Sequence, residues 1–380
     1  MNGPVCGCVW HGMRRRFVKS ALTSAAALAA MAIPAARRVS AQPAATAPVA
    51  AGPRPRVINT HAHYCPQEWL DLLATDGRAF GADYRVTPEG FYLTAIGATA
   101  GPLPRKFTDL APRIADMDAQ GVDIQAISLS TPMLYWADGP LGTKLARAWN
   151  DAASAAHTQH PDRLVALMTL PMQDTDRAIA ELGRASALPG MRGVYMGTNV
   201  NGHDYSEPRF LPIFKAVEAA GLPVFLHPLQ TVGGARTKPY YLGNLIGNPL
   251  DTAIAAAHLI MGGVLDACPT LEVNLPHAGG VMPILTGRWD HGRLVRPELA
   301  HMQRAPSDYL RRFTYDTISH SAPIMNFVIS QVGIDRITTG DDYCYDMGYE
   351  RPVQAVDALG LPPDQRAMVL GGNAARLLRL

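Results

Sequence analysis

The chain has 380 residues, of which 48% are hydrophobic and 17% charged, with a formal net charge of +2 at pH 7. This length allows either two ordinary domains or one large barrel. A balance so close to neutral gives no reason to expect a general nucleic-acid-binding surface.

The first 41 residues resemble an export signal. Residues 14–19 read Arg-Arg-Arg-Phe-Val-Lys, similar to the twin-arginine motif, and Val39-Ser40-Ala41 has the small-x-small form of a cleavage site. The apolar stretch 20–33 is shorter than the roughly 20 residues that span a bilayer, so no stable membrane anchor is expected. We expect residues 1–41 to be a signal peptide that directs the protein to the periplasm, with Met1 or Met13 as its start.

Residues 42–55 are rich in Ala and Pro and are expected to be a disordered linker. Removal of the leader takes away six basic residues and no acidic one, which leaves 28 Lys and Arg against 32 Asp and Glu, a net charge of about −4. Cys65, Cys268 and Cys344 remain, without metal-ligand spacing, so a disulfide scaffold is not expected.

Past residue 55 the chain alternates short β-branched apolar runs with longer helical stretches, the pattern of parallel βα units. The apolar runs cover 57–59, 124–130, 164–170, 193–196, 223–226, 271–275, 313–316 and 336–339. Helices are expected between them at 112–120, 141–159, 174–187, 208–220, 249–266 and 322–332. Eight such repeats predict an α/β fold of the (β/α)8 TIM-barrel type over residues 56–380.

Two segments are longer than the barrel repeat requires. Residues 74–108 are too many for a βα loop and are expected to form a small cap insertion after strand one. Residues 230–248 form a second long excursion. Both segments follow the carboxyl ends of strands, which is the side of a barrel that carries the active site.

Histidine or aspartate follows several of the predicted strands. His61 and His63 lie two positions apart on an extended segment and face the same side, and His227 and Asp341 follow strands five and eight. Any one histidine is more often a packed core side chain than a ligand, but their recurrence at corresponding strand ends favours a common site. Three imidazoles and one carboxylate predict a single divalent ion, Zn²⁺ first and Mn²⁺ second.

His277 follows strand six and has two possible roles. It is either a fifth ligand or a general acid/base beside the metal, and because four ligands already complete a mononuclear set we favour the second role. Asp341 is expected to share in proton transfer while it contacts the metal.

The sequence resembles the amidohydrolase superfamily, in particular the branch of aminocarboxymuconate-semialdehyde decarboxylase. The resemblance runs from Val57 almost to the C-terminus and rests, beyond the ligands, on the stretches 113–123, 131–136, 170–173, 260–264 and 277–280. It implies that His61, His63, His227 and Asp341 bind the metal and that His277 contacts the catalytic water or the substrate. It also implies a homodimer, in which Arg288 holds a substrate carboxylate, in some members across the dimer interface. The alternative for Arg288 is an exposed arginine on a helix without a role in binding.

The sequence also departs from this branch. The resemblance implies a further carboxylate-binding arginine before the 112–120 helix, where this chain has Gly101, and the residues after strand five differ as well. We therefore expect a different substrate.

Three further residues are candidates for substrate binding. His320, beyond strand seven, either binds a substrate oxygen or caps the next helix. Tyr135 and Trp136, at the end of strand two, are expected to be pocket walls, with core packing as the alternative.

The favoured function is metal-dependent, non-oxidative decarboxylation of a small aromatic or unsaturated carboxylic acid. The same ligands serve the hydrolysis of an ester, lactone, amide or β-diketone, which is the principal alternative. A non-catalytic binding protein is a third possibility, but it has no need of a metal with an open position.

Overall fold

The computed structural model describes residues 54–229 and 231–380. The predicted signal peptide, both candidate start residues and the predicted linker up to residue 53 lie outside the described residues. Within the described part of the chain, no helix combines the length and the apolar character needed to cross a bilayer.

The described residues contain two sheets. The strands are β1 (Ile58–Tyr64), β2 (Asp83–Thr87), β3 (Gly90–Ala95), β4 (Ala98–Leu103), β5 (Ile124–Leu129), β6 (Leu164–Thr169), β7 (Met191–Gly197), β8 (Val224–His227), β9 (Val273–Leu275), β10 (Phe313–Asp316) and β11 (Ile337–Thr338). Strands β1 and β5 to β11 pair in chain order as one eight-stranded sheet, and β2 to β4 form a separate three-stranded sheet. All pairs in the large sheet are parallel, and those in the small sheet are antiparallel.

The large sheet closes on itself between β1 and the segment that follows β11. The amide of Thr60 donates to the carbonyl of Thr339 at 2.8 Å, and the amide of His63 donates to the carbonyl of Tyr343 at 2.6 Å. These bonds join the first and last strands, so the predicted (β/α)8 barrel is confirmed.

Helices follow the barrel strands, as the repeat requires. They are α1 (Gln67–Ala74), α2 (Leu110–Gln120), α3 (Gly139–Gln159), α4 (Thr175–Ala185), α5 (Leu211–Ala219), α6 (Asn248–Met261), α7 (Val264–Ala267), α8 (Met282–Val295), α9 (Ala322–Val332), α10 (Pro352–Asp357), α11 (Pro363–Ala367) and α12 (Asn373–Leu378). Helix α3 begins earlier than the expected residue 141 because the side chain of Asp138 caps it, accepting a hydrogen bond from the amide of Leu141 at 2.9 Å.

A layer of polar side chains crosses the inside of the barrel. The hydroxyl oxygens of Thr60 and Thr338 lie 3.1 Å apart, and the side-chain amide of Asn274 donates to the hydroxyls of Thr314 at 3.0 Å and Thr338 at 3.2 Å. These four side chains are buried and come from β9, β10, β11 and β1. They satisfy one another, as buried polar groups must, and they mark which positions of these strands face inward.

The two long excursions lie on the same side of the barrel. The predicted cap insertion contains the three-stranded sheet β2 to β4, and residues 234–247 form short 3-10 and π-helical turns before α6. Both segments line one cavity, to which the cap contributes Ile96 and the second excursion contributes Tyr241.

Candidate metal centre

Three histidines and one aspartate meet at the carboxyl ends of the barrel strands. His61 and His63 lie on β1, His227 is the last residue of β8, and Asp342 follows β11. One potential ligand atom from each lies within 4.8 Å of every other, and all four residues are buried. The parallel strands bring their carboxyl ends to one rim, so residues distant in the chain form one cluster.

Two of the three imidazoles are oriented by a contact at Nδ1. Nδ1 of His61 lies 2.8 Å from Oδ2 of Asp316, the last residue of β10, and Nδ1 of His227 lies 3.0 Å from the carbonyl of Pro228. Nε2 of His61 is buried without a hydrogen-bond partner among the described residues. Metal-binding histidines are typically held in this way, with the other ring nitrogen left for the metal.

The electrostatics of the cluster favour the protonation states of metal ligands. Burial lowers the pKa of His63 and, together with the neighbouring histidines, holds the pKa of His227 well below its usual value. Burial opposes ionisation of Asp342, but the nearby imidazoles of His277 and His63 outweigh it and hold the pKa of Asp342 well below its usual range. Neutral imidazoles and an ionised carboxylate are the forms that bind metal ions.

His61 is the exception among the three histidines. Burial lowers its pKa, but the hydrogen bond with Asp316 and the charge of Asp342 outweigh burial, and the pKa is raised overall. The buried carboxylates of Asp316 and Asp342 therefore favour a positive charge next to His61. Three nitrogen donors, one carboxylate and this surplus of negative charge fit a single divalent ion.

The structure corrects the predicted acidic ligand, because Asp342 and not Asp341 joins the histidines. Oδ1 of Asp341 accepts hydrogen bonds from the side chain of Asn59 at 2.5 Å and from the amide of Tyr343 at 3.0 Å. Asp341 lines a different cavity, together with Tyr343 and Glu350. Through these hydrogen bonds Asp341 connects β1 to the loop after β11.

No local pattern in the sequence separates Asp342 from Asp341. Strand β11 ends at Thr338, and Asp342 has a positive φ of 56°, so the alternation of an extended strand does not continue to residue 342. The contacts of the two side chains, and not their spacing, show which carboxylate joins the histidines.

His277 lies beside the cluster and outside it. Its ring centre is 5.4 Å from that of His61 and 5.8 Å from that of His227, and its Nε2 is 3.9 Å from Oδ2 of Asp342. The side chain is 14% exposed, and it lines a cavity next to the cluster. This placement suits the favoured acid/base role better than that of a fifth ligand.

The turn after β9 determines where His277 points. Residues 277–280 all have positive φ, and Gly280 runs against α6 so closely that a Cβ there would lie 2.1 Å from the carbonyl of Pro249. Only glycine fits at this position, which explains the Gly279-Gly280 pair after His277.

Two cavities open onto the cluster and share Asp342, Asn244 and Asn248 in their walls. The larger one, about 710 Å³, lies between the cap sheet and the 231–248 segment and includes His227. The smaller one, about 280 Å³, includes His277 and His320.

The structure does not place the predicted aromatic walls in these cavities. Tyr135 is buried, and its hydroxyl accepts a hydrogen bond from the amide of Gly197 at 3.0 Å, so the alternative of core packing holds. The indole of Trp136 donates to the carbonyl of Met133 at 3.0 Å, and its ring faces Phe80. Neither residue lines a cavity that contains a member of the cluster.

His320 and Arg288 have different surroundings. His320 is exposed, lines the smaller cavity and packs its ring against Tyr349 at 4.8 Å between ring centres. Arg288 is exposed on α8 and lines neither cavity. Within the described chain, Arg288 is therefore not brought to the cluster.

The sequence analysis assigned no role to several residues that contact the cluster, among them Asp316 and Tyr345. Asp316 ends a barrel strand just as the ligands do, so the same criterion identifies it. The ring of Tyr345 lies 5.1 Å from that of His63, and its hydroxyl hydrogen-bonds Ser130. No local pattern marks Tyr345, because it reaches the site through the irregular loop after β11.

Comparison with known proteins places this barrel among metal-dependent enzymes. Residues 58–380 match the family model described as Amidohydrolase. Over 329 residues the chain is 31% identical to 2-amino-3-carboxymuconate-6-semialdehyde decarboxylase of Dictyostelium discoideum, a match that covers 85% of this chain and 91% of that protein. Over 287 residues it is 27% identical to gamma-resorcylate decarboxylase of Rhizobium radiobacter, covering 70% of this chain and 86% of that protein.

A solved structure shows the same architecture. The crystal structure of 5-carboxyvanillate decarboxylase from Sphingomonas paucimobilis matches with a TM-score of 0.75 at 27% identity, covering 86% of this chain and 99% of that chain.

Proposed function

Because the chain belongs to the amidohydrolase family, we propose that it is a metal-dependent, non-oxidative decarboxylase of a small aromatic or unsaturated carboxylic acid. The relatives described above are named decarboxylases and are matched over most of the chain. The observation that carries the proposal is the position of His277, outside the four-residue cluster and next to a cavity that reaches it.

The cluster of His61, His63, His227 and Asp342 would hold the ion. A divalent ion bound there would supply positive charge that holds the substrate carboxylate and a neighbouring oxygen. We favour Zn²⁺, with Mn²⁺ as the other candidate, because both accept imidazole and carboxylate ligands.

His277 is the proton donor in this proposal. The bond between the carboxylate carbon and the rest of the substrate breaks, carbon dioxide leaves, and the carbon that keeps the electron pair takes a proton from His277. Asp342, 3.9 Å from Nε2 of His277, stabilises the protonated ring before transfer. Asp341 was expected to share this step, but its contacts with Asn59 and Tyr343 direct it elsewhere, so we assign it no proton transfer.

The substrate ring is proposed to lie in the larger cavity. Tyr345 and the cap residues supply apolar walls there, and the amides of Asn244 and Asn248 supply polar groups next to Asp342. His320 is proposed to contact the substrate from the smaller cavity.

We propose that Arg288 reaches the site from a second copy of the chain. In one chain it is exposed on α8 and does not line either cavity, whereas the outer surface of α8 and α9 carries exposed apolar side chains. These residues are Ile284, Leu294, Val295, Ile324 and Phe327. A homodimer through this surface would cover them, and Ile284, Ile324 and Phe327 also line the smaller cavity.

Mixing two inactive variants tests the contribution of Arg288. If Arg288 acts across the interface, Arg288→Ala and His61→Ala proteins regain activity when they exchange subunits, because one site of the mixed dimer is intact. No recovery after demonstrated exchange would show that Arg288 acts within its own chain, and an active Arg288→Ala protein would show that Arg288 has no role in the reaction.

From the sequence alone, we also propose export to the periplasm. The twin-arginine pattern at residues 14–19 supports this. Fractionation of cells that express the wild type or the Arg14→Lys, Arg15→Lys double variant tests it, since the double variant is expected to stay in the cytoplasm.

The reaction is tested by incubating the metal-loaded protein with a panel of aromatic carboxylic acids, esters and lactones and measuring product masses. Loss of carbon dioxide, absent in His277→Asn, supports the proposal. Gain of water would instead establish the hydrolase alternative, which uses the same metal ligands.

A further inference from the structure

Arg113, on α2, is a fully buried arginine beneath the metal cluster. Its hydrogen-bond acceptors in the described part of the chain are neutral: the carbonyl of His63, the carbonyl of Lys106 at 3.2 Å and the side chain of Gln125 at 2.6 Å. A buried guanidinium is costly when no carboxylate is bonded to it. A methionine would occupy similar space without that cost. The presence of a charged, planar side chain at this buried position therefore needs an explanation other than packing.

The first part of the explanation is the contact with β1. Nη2 of Arg113 donates to the carbonyl of His63, one of the four cluster residues. The amide on the other side of the same residue donates to the carbonyl of Tyr343 at 2.6 Å. Both backbone polar groups of His63 are therefore fixed, which limits rotation of its backbone and aims its imidazole.

The second part is the contact with the loop that carries Asp342. The guanidinium carbon lies 4.7 Å from the ring centre of Tyr343, which follows Asp342 in the chain. The hydroxyl of Tyr343 donates to Asp116 at 2.9 Å, and Asp116 is three residues after Arg113 on the same helix. Helix α2 thus holds Tyr343 at its ring face and at its hydroxyl.

We propose that Arg113 is a positioning residue that sets the distance between His63 and Asp342 and so tunes the affinity of the metal centre. The planar guanidinium donates within its plane and stacks on an aromatic ring through its face, so one group engages both ligand-bearing segments. Lysine has no planar group with which to do both. This inference rests on the proposed metal centre, and it goes beyond that proposal by naming the residue that fixes the relative positions of His63 and Asp342.

The test compares Arg113→Lys and Arg113→Met with the same substitutions at Arg312. Arg312 also donates to backbone carbonyls, those of Leu265 at 3.2 Å, Cys268 at 3.0 Å and Leu271 at 3.3 Å, but it contacts no residue of the cluster. The measurements are the dissociation constant of Zn²⁺ by chelator competition, the visible absorption spectrum of the Co²⁺-loaded protein, and thermal unfolding.

We expect Arg113→Met to raise the Zn²⁺ dissociation constant by about tenfold or more and to shift the Co²⁺ bands, with a smaller effect in Arg113→Lys. The Arg312 variants are expected to unfold at lower temperature while the dissociation constant and the bands stay as in the wild type. Should Arg113→Met fail to fold, Tyr343→Leu removes the stacking partner and is expected to shift the bands in the same direction.

Unchanged affinity and spectrum in folded Arg113 and Tyr343 variants would overturn the inference. So would equal changes in the Arg312 variants, because the effect would then report general destabilisation. A wild-type protein that binds no divalent ion would overturn the proposed metal centre itself. That outcome differs from one in which the wild type binds metal and the Arg113 substitutions do not change its affinity.

Discussion

Nδ1 of His61 lies 2.8 Å from Oδ2 of Asp316, and both side chains are buried. The other oxygen of Asp316 accepts the amides of Ala278 and Ile318, each at 3.0 Å. One carboxylate therefore orients a candidate metal ligand and fixes the turn next to His277. This arrangement couples the proposed metal site to the proposed proton donor.

Asp316→Asn is expected to lower metal affinity about 10- to 100-fold, because an amide of the same size lacks the negative charge that strengthens His61 as a ligand. The dissociation constant of Zn²⁺ measures the effect. Asp162→Asn, at an exposed position, serves as the control. Wild-type affinity in Asp316→Asn would show that the carboxylate does not act through His61.

The histidines are expected to separate into two classes. His61→Ala and His227→Ala each remove a ligand and are expected to lose metal and activity together, whereas His277→Asn keeps the metal and loses turnover. Metal content by elemental analysis and product formation by mass spectrometry check this. Ordinary turnover by His277→Asn would remove its assigned role.

Asp341 and Asp342 are neighbours in the chain, yet their substitutions are expected to differ. Asp342→Asn removes the charged ligand and is expected to lose most bound metal. Asp341→Asn keeps an oxygen that can accept from Asn59 and Tyr343, so metal content is expected to stay near the wild-type level. The reverse result would return the ligand role to Asp341.

Asp251 gives the protein a stability that depends on pH. Burial raises the pKa of Asp251 to about 6 from an ordinary value of 3.8, despite a hydrogen bond from Thr198. The folded state binds this proton more tightly than the unfolded state does. The contribution of Asp251 to the free energy of unfolding is therefore complete below pH 3.8 and is lost as the pH rises through 6.

Asp251→Asn cannot ionise and is expected to escape this loss, making the variant more stable than the wild type above pH 6 by up to about 3 kcal/mol. Urea unfolding between about pH 4 and pH 8 measures the difference, with the exposed Asp364→Asn as control. Parallel curves for Asp251→Asn and wild type would contradict the assignment.

The sequence predicts the barrel because periodic apolar runs and helix signals are local and repeat eight times. It predicts His61, His63 and His227 because strand ends in a barrel converge on one rim. It does not distinguish Asp341 from Asp342, since the chain after β11 is irregular and only contacts with other strands show which carboxylate turns inward.

Two other predictions depended on packing that no local pattern contains. Tyr135 lies at a strand end like a pocket wall, but its hydroxyl meets the amide of Gly197 within the core. Arg288 is on an exposed helix face of one chain, so the role proposed for it requires a second copy of the chain.

The cluster spans the join between the two ends of the barrel. β1 supplies His61 and His63, the segment after β11 supplies Asp342, and the backbone joins there through the hydrogen bonds of Thr60 and His63. An ion bound to both sides ties the first strand to the last, so loading the metal and closing the barrel support each other. Stripped of metal, the protein should exchange the amide hydrogens of Thr60 and His63 with solvent faster, while those of β7, on the opposite side of the barrel from the join, stay protected.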